Sequence, residues 1–248
     1  MSRKVVLGFA LFAAAFFLGV VWFHPWLALA VLFCSHMLML FPTLVANCQW
    51  WGPVVRRFET PRPEVWLTID DGPNAHTSAV LDLLARFEAK ATFFVIGKHA
   101  QEFPNALDKI RAAGHEIGNH TCTHPSGTFW AFSSARMASE IDRFSIASRF
   151  FRAPAGLKNW LLHPLLAKRG MDLIGWTVRG LDTVSSDSAA VVERIRRKLQ
   201  PGAIVLLHDG EREFYRQCLE QTLIALTNEG YRCVLPTPEQ LRPRGGGK

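Results

Sequence analysis

The sequence predicts an α/β fold in which a distorted, seven-stranded β/α barrel follows a transmembrane helical hairpin. Short apolar runs alternate with longer amphipathic stretches in residues 64–241, which is typical of repeated βα units. Seven strands and six helices suit a parallel sheet that curls, because right-handed crossovers cover both of its faces. Residues 5–55 contain no Asp, Glu, Lys or Arg, which predicts the hairpin. An open, doubly wound sheet is the alternative to the barrel.

The uncharged stretch is too long for a single membrane helix. A hydrocarbon core of about 30 Å takes roughly 20 helical residues, so two passes fit better than one. The natural break is His24-Pro25, which predicts helices over 5–23 and 26–46 within a membrane anchor of residues 1–51. A cleaved signal peptide is the alternative, but its apolar region is only about 7–15 residues long.

Basic residues flank the predicted hairpin on both sides. Arg3 and Lys4 precede the first helix, and Arg56 and Arg57 follow the second. The positive-inside rule therefore predicts a bacterial-type inner-membrane protein with both flanks, and the domain beyond, in the cytoplasm. A periplasmic domain is the alternative.

Charge and cysteine content narrow the class of protein further. The formal net charge of +7 suits an anionic membrane surface or a phosphate-bearing substrate. The sequence lacks the dense stripe of basic residues that would indicate nucleic acid as a partner, so none is expected. The five cysteines contain no Cys-x-x-Cys pair, which argues against a disulfide framework and agrees with a reducing compartment.

The elements after the anchor follow in a regular order. A Pro-containing linker is expected over 52–63, a catalytic domain over 64–241 and a disordered, Gly-rich tail over 242–248. Strands are predicted near 65–69, 91–96, 115–118, 149–152, 171–177, 203–207 and 231–234. Helices are predicted near 76–89, 104–113, 134–147, 158–169, 186–199 and 212–228.

Two adjacent carboxylates close the first predicted strand. Asp70 and Asp71 follow an apolar run and precede Gly72-Pro73. Residues just past the carboxyl end of a strand in a βα unit lie at the face where sites are built. Because neighbouring carboxylates repel, each needs a cation beside it, such as a metal for one and an arginine for the other.

Further along the chain, polar side chains with suitable chemistry follow other predicted strands. His120 and His124 lie four residues apart, so on a helical turn they share one face and with one of the two aspartates can bind a metal. Two surface histidines at chance spacing are the alternative. Arg152 ends the fourth strand and can hold the other carboxylate. His208 ends the sixth strand and can act as a general acid with Asp182 as its partner, or else cap the next turn.

These segments resemble, in order, the motifs of the polysaccharide deacetylase family, the NodB-like carbohydrate esterases. The resemblance covers about residues 60–240 and implies a distorted β/α barrel. It rests on Asp-Asp-Gly-Pro, His-x3-His, Arg-x-Pro-x-Gly at 152–156, a Trp-then-Asp segment at 176–182 and Leu-Leu-His at 206–208.

The resemblance implies roles for individual residues. It implies that Asp71, His120 and His124 hold a divalent metal, commonly zinc. It also implies the following catalytic roles: Asp70 as base, Arg152 as the residue that orients it, His208 as acid, Asp182 as the partner of the acid, and a backbone N–H near Ala155 as an oxyanion donor.

Three positions depart from the pattern of the family. Arg179 stands where the family usually has Asp, Thr183 where it has Trp, and Ala155 where an aromatic is common. An added cation beside the site, together with a membrane anchor, favours an amino sugar that is lipid-linked or bears phosphate. Arg179 would then bind the substrate; the alternative is that it pairs with Asp182 or Glu211 to hold the loop.

The function predicted from these residues is hydrolysis of an amide on a sugar. The expected enzyme is a metal-dependent carbohydrate N-deacetylase that removes an N-acetyl or similar small acyl group from an amino sugar. A deformylase acting on a lipid-linked amino sugar has the same motifs and stays open as an alternative. An inactive, glycan-binding membrane protein is the alternative from another class.

Overall fold

Two long apolar helices begin the chain in the computed structural model, which describes residues 3–21, 24–144 and 146–241. Helix α1 spans Arg3–Val21 and helix α2 spans Pro25–Leu44. By length and composition α2 can cross a membrane, and α1 contains a shorter apolar stretch, Val5–Phe16. Residues 22–23 of the first predicted helix and the predicted tail over 242–248 lie outside the described residues.

A curled parallel sheet follows, as predicted for a distorted β/α barrel. The order of its strands is β5-β4-β3-β2-β1-β7-β6, and β8 pairs with the first residues of β1. The strands are β1 Glu64–Asp70, β2 Ala91–Val95, β3 Glu116–Asn119, β4 Phe150–Phe151, β5 Asp172–Leu173, β6 Val178–Arg179, β7 Ala203–His208 and β8 Arg232–Cys233. All their pairings are parallel, so the carboxyl ends of the strands share one edge of the sheet.

Helices cover the outer face of this sheet, and each of the six predicted helices is present in a shorter form. The helices of this part are α3 Thr77–Arg86, α4 Gly97–Glu102, α5 Pro104–Ala112, α6 Ser134–Asp142, α7 Leu162–Ala167, α8 Ser188–Arg196, α9 Glu213–Asn228 and α10 Pro238–Leu241. The short helices α4 and α10 are additional to the prediction. The main apolar core lies between the strands and these helices.

Strand alternation decides which side chains face the inside of the barrel. In β1, Val65, Leu67 and Ile69 pack outward against the helices, whereas Trp66 packs inward with aromatic and aliphatic side chains of neighbouring strands. Because side chains alternate along a strand, Asp70 lies on the same inner face as Trp66. All seven residues of β1 are buried, as expected for a central strand of a sheet covered on both faces.

Only β5 forms within the predicted strand over 171–177, and after a break β6 begins at Val178, one residue beyond the predicted end. The segment that we expected to be a linker over 52–63 approaches this break. Val55 donates a backbone hydrogen bond to the carbonyl of Leu173 (2.9 Å) and accepts one from Gly175 (2.8 Å). Phe58 is only 1% exposed and lies in the core. Part of the expected linker therefore packs as a wall of the barrel.

Candidate active site

The predicted site residues meet at the carboxyl edge of the sheet. Asp70 at the end of β1 is in register with His208 at the end of β7, and both face the barrel interior. They line a cavity of about 240 Å³. The lining also includes Asp71, His120, His124, Ala155, Trp176, Arg179 and Thr183.

Asp71, His120 and His124 form a compact group that can hold a metal ion. Their candidate ligand atoms lie within 4.8 Å of one another. Oδ1 of Asp71 lies 3.5 Å from Nε2 of His120 and 3.3 Å from Nε2 of His124. This buried oxygen has no hydrogen-bond partner among the described residues. Two imidazoles and one carboxylate, with an oxygen of that carboxylate buried and unsatisfied, fit a divalent cation such as zinc.

A hydrogen bond made by His120 and the charge state of His124 suit this role. The carbonyl of Arg152 accepts a hydrogen bond from Nδ1 of His120 (2.9 Å), which leaves Nε2 free to bind a metal. Burial and the neighbouring His120 lower the pKa of His124 to about 4, so its imidazole is neutral at pH 7. Burial raises the pKa of Asp71, but the surrounding histidines outweigh this effect and hold it well below its ordinary value.

A strained loop, and not the helical turn that we expected, brings His120 and His124 together. Thr121 has a φ of 66° and His124 a φ of 50°, both in the left-handed region that side chains disfavour. Glu140 from α6 accepts hydrogen bonds from the backbone and the hydroxyl of Thr123 (both 2.9 Å), and Asn119 accepts one from the backbone of Thr121 (2.8 Å). The spacing predicted the proximity correctly, but the local conformation is different.

Asp70 is held by a buried arginine. Nη1 of Arg152 donates to Oδ1 of Asp70 at 2.7 Å and to the hydroxyl of Thr68 at 2.8 Å. Arg152 is fully buried, and its other nitrogens donate to the carbonyls of Ile174 and Gly175. The guanidinium fixes one oxygen of Asp70, and the other lies 3.7 Å from Nε2 of His120, beside the candidate metal ligands.

His208 and Asp182 form the second pair expected at the site. Nδ1 of His208 and Oδ1 of Asp182 are 2.8 Å apart, and Oδ2 of Asp182 accepts the backbone N–H of His208 at 2.8 Å. Burial disfavours the imidazolium, but the fully buried Asp182, together with Asp70 and Asp71, overcomes this effect and raises the pKa of His208. His208 can therefore carry a proton to a leaving group near neutral pH.

Arg179 and Ala155 complete the cavity. Nε of Arg179 is buried and has no hydrogen-bond partner in the part of the chain that the structure describes. Within that part no ion pair joins Arg179 to Asp182 or Glu211, the partners that would hold the loop. Ala155 has a φ of 52°, which turns the backbone sharply at the cavity wall.

His99 supports the site and was not among the residues predicted from the sequence. Its Nδ1 donates to the backbone carbonyl of Asp71 (2.8 Å), whose own φ is 75°. His99 lies in α4, just past the end of β2, at the same edge of the sheet as the other site residues. The short helix α4 was not predicted, but a histidine three residues beyond the predicted strand over 91–96 was the available signal.

Comparisons with known proteins agree with this geometry. The sequence profile described as polysaccharide deacetylase matches residues 57–174. A chitooligosaccharide deacetylase of Sinorhizobium fredii is 37% identical over 164 residues, which are 63% of this chain and 76% of that protein. The chain belongs to the polysaccharide deacetylase family.

Other members of the polysaccharide deacetylase family extend the similarity. A peptidoglycan-N-acetylglucosamine deacetylase of Bacillus cereus is 32% identical over 193 residues, covering 71% of this chain and 89% of that protein. The solved structure of a family 4 carbohydrate esterase from Streptomyces lividans, in complex with acetate, matches with a TM-score of 0.65 and 29% identity. The match covers 73% of this chain and 96% of the esterase.

The family profile ends before the second half of the cavity. Arg179, Asp182 and His208 lie beyond residue 174, so their proposed roles depend on the contacts and burial described above. The first half, with the Asp70–Arg152 pair and the three candidate metal ligands, falls within the matched residues.

Proposed function

We propose that this protein is a metal-dependent N-deacetylase that removes an acetyl group from an amino sugar. One observation carries the proposal: Asp70 and His208 line the same cavity, and each is held by a charged partner. Arg152 holds the carboxylate of Asp70, and Asp182 holds the imidazole of His208. The candidate metal ligands lie beside them. The named activities of the two relatives, on chitooligosaccharide and on peptidoglycan N-acetylglucosamine, support an amino-sugar substrate.

Each residue has a part in the proposed hydrolysis. A divalent ion, zinc in our proposal, would be held by Asp71, His120 and His124 and would supply Lewis acidity for the acyl group and the attacking water. Asp70 accepts a proton from the water while the water oxygen bonds to the acyl carbon. The backbone N–H near Ala155 stabilises the oxyanion that develops. His208 donates a proton to the amide nitrogen as the C–N bond breaks, which leaves acetate and a free amine.

The size of the acyl group separates the two hydrolase hypotheses. A deformylase would use the same residues, because formyl and acetyl amides differ by one methyl group. The test is to incubate the purified, metal-loaded protein with lipid-linked and soluble N-acylated amino sugars and to measure acetate and formate. Acetate release supports the proposal, formate release alone identifies a deformylase, and neither product from a loaded protein favours an inactive glycan-binding protein.

An apolar groove supports a lipid-linked substrate. The groove has a volume of about 860 Å³ and lies between α1, α2 and two loops at residues 130–133 and 159–161. Gly156 lines the site cavity and Asn159 lines the groove, so a few consecutive residues connect the two. A hydrocarbon chain in the groove would place a sugar headgroup towards the cavity.

The guanidinium of Arg179, whose buried Nε has no hydrogen-bond partner among the described residues, supports a phosphate on that headgroup. We expect Arg179→Ala to raise KM for a phosphate-bearing substrate by about tenfold while sparing turnover of a neutral N-acetyl sugar, because the lost contact is made equally before and during the reaction. Steady-state kinetics on the two substrates check this expectation.

Arg194 provides a matched control, because it is an arginine that stabilises the loop containing Arg179 without lining the cavity. Its guanidinium donates to the carbonyl of Gly180, next to Arg179, but does not line the cavity. Arg194→Ala should affect charged and neutral substrates alike. Equal losses on both substrates in Arg179→Ala would contradict the phosphate contact.

We also propose that the domain faces the cytoplasm, with α1 and α2 as a membrane hairpin. A reporter enzyme active only in the periplasm should be silent when fused after Lys248, because basic residues flank both ends of the hairpin. The same reporter fused after His24, between the helices, should be active. Strong activity from the Lys248 fusion would indicate a single pass or a cleaved signal.

A further inference from the structure

The end of helix α2 is joined to the active-site loops by a buried lysine. Lys158 has no exposed surface, and its Nζ donates to the carbonyls of Val45 (3.1 Å) and Ala46 (2.6 Å), just past the end of α2. Its backbone N–H donates to the carbonyl of Thr43 (3.3 Å). An ammonium group is favourable here because the carbonyls at the C-terminal end of a helix carry partial negative charge.

Asn47 makes a second connection, to the break between β5 and β6. Its Nδ2 donates to the carbonyl of Trp176 (2.8 Å), and its Oδ1 accepts the backbone N–H of Trp176 (3.3 Å). A strand residue satisfies these two groups through a neighbouring strand. At Trp176, which lines the cavity, the asparagine side chain takes the place of that neighbour.

Two glycines, Gly156 in the cavity wall and Gly175 next to Trp176, allow the segment after α2 to approach this closely. A Cβ at Gly156 would lie 2.4 Å from Cβ of Ala46, and a Cβ at Gly175 would lie 2.3 Å from Oδ1 of Asn47. Both distances are far below van der Waals contact. The carbonyl of Gly175 also accepts a hydrogen bond from Arg152, which holds the proposed base, Asp70.

We infer that Asn47 and Lys158 are positioning residues that tie the segment after α2 to the two active-site loops, 153–158 and 175–176. The segment after α2 is then required for turnover itself, including turnover of a soluble substrate, and does not merely connect the hairpin to the barrel. Asn47 holds the loop whose Gly175 carbonyl accepts the hydrogen bond from Arg152. Lys158 holds the loop that contains Ala155. This inference rests on the proposed deacetylase function.

The first test compares variants of the full-length, detergent-solubilised protein on a soluble N-acetylated amino-sugar oligomer. Lys158→Met and Asn47→Ala should each lower kcat by about tenfold or more, because displacement of a reacting group by about 1 Å can cost up to a hundredfold. KM and bound metal should change by less than about twofold, since the metal ligands and Arg179 stay in place. Asn47→Asp keeps the acceptor but sets a carboxylate oxygen against the carbonyl of Trp176, so it should lower kcat at least as far as Asn47→Ala does.

Lys168→Met is the matched control, because it makes the same exchange at an exposed lysine in the same region. It should behave as the unmodified protein does. Variants with a lower melting temperature but an unchanged kcat per metal-loaded chain would show that Asn47 and Lys158 only stabilise the fold, and would overturn the inference.

Hydrogen exchange tests the inference without any turnover. In Lys158→Met, the amides of residues 155–158 should exchange about tenfold faster or more, and in Asn47→Ala the amide of Trp176 should do the same. Protection at β1 and β7 should be unchanged. Unchanged protection of both loops would overturn the positioning role even if the protein proved not to be a deacetylase, so the two failures are distinguishable.

Discussion

Replacing Asp70 by asparagine should leave the metal site intact and reduce turnover by about a hundredfold or more. Asparagine has nearly the same shape and can still accept the hydrogen bond that Arg152 donates at 2.7 Å. The buried guanidinium also keeps its bonds to Thr68, Ile174 and Gly175. The exchange removes the negative charge of Asp70 and its ability to accept a proton, but not its hydrogen bond from Arg152. The measurement is kcat together with bound metal per chain.

Asp209→Asn makes the same exchange in another buried carboxylate. Oδ2 of Asp209 accepts a hydrogen bond from the hydroxyl of Thr77 (2.8 Å), and the residue does not line the site cavity. Its turnover should stay within about threefold of the unmodified protein, well short of the loss expected for a general base. Near-normal turnover in Asp70→Asn with metal bound would mean that another group is the base.

His120→Ala and His124→Ala should each lose most of the bound metal. Each change removes one of three candidate ligands that lie within 4.8 Å of one another, and alanine offers no replacement. Removal of a residue that only hydrogen-bonds to a metal ligand already weakens metal affinity by up to about a hundredfold. Loss of one ligand from a three-residue site should therefore weaken it by about a hundredfold or more. Elemental analysis and competition with a chelator measure this effect.

An exposed histidine provides the control for this experiment. His76 lies at the start of α3, outside the candidate metal group, and His76→Ala should keep stoichiometric metal. Stoichiometric metal in both His120→Ala and His124→Ala would rule out the assignment. A loss in His120→Ala alone would suggest that His124, the more exposed of the two, contacts the substrate instead.

Local patterns in the sequence were sufficient to find most of the site. Asp70, Arg152 and His208 each follow an apolar run of a few residues, and a parallel sheet brings the carboxyl ends of such runs to one edge. Register and alternation then decide that they face one another. The roles of these residues in catalysis stay predictions until the variants are measured.

The sequence did not reveal the features that depend on distant contacts. The apolar run at 171–177 predicted one strand, but Val55 makes backbone hydrogen bonds with Leu173 and Gly175 in the middle of this run. The side chain of Asn47, 129 residues away, bonds to the backbone of Trp176. The helix predicted to begin at residue 158 begins at Leu162, because Lys158 turns inward to the end of α2. A lone lysine near a predicted helix is usually solvated, so nothing in its neighbourhood indicated burial.

The buried junction after α2 also affects how the enzyme would meet its substrate. Because Trp51, Val54 and Phe58 are buried, the chain between the hairpin and the barrel is packed and does not act as a flexible tether. If the hairpin spans a membrane, the cavity is held at one height and one tilt above the lipid surface. Encounters with a lipid-linked sugar then occur by lateral diffusion in two dimensions. Turnover in vesicles would follow the number of substrate molecules per unit area of membrane, and diluting the vesicles at constant surface density would leave it unchanged.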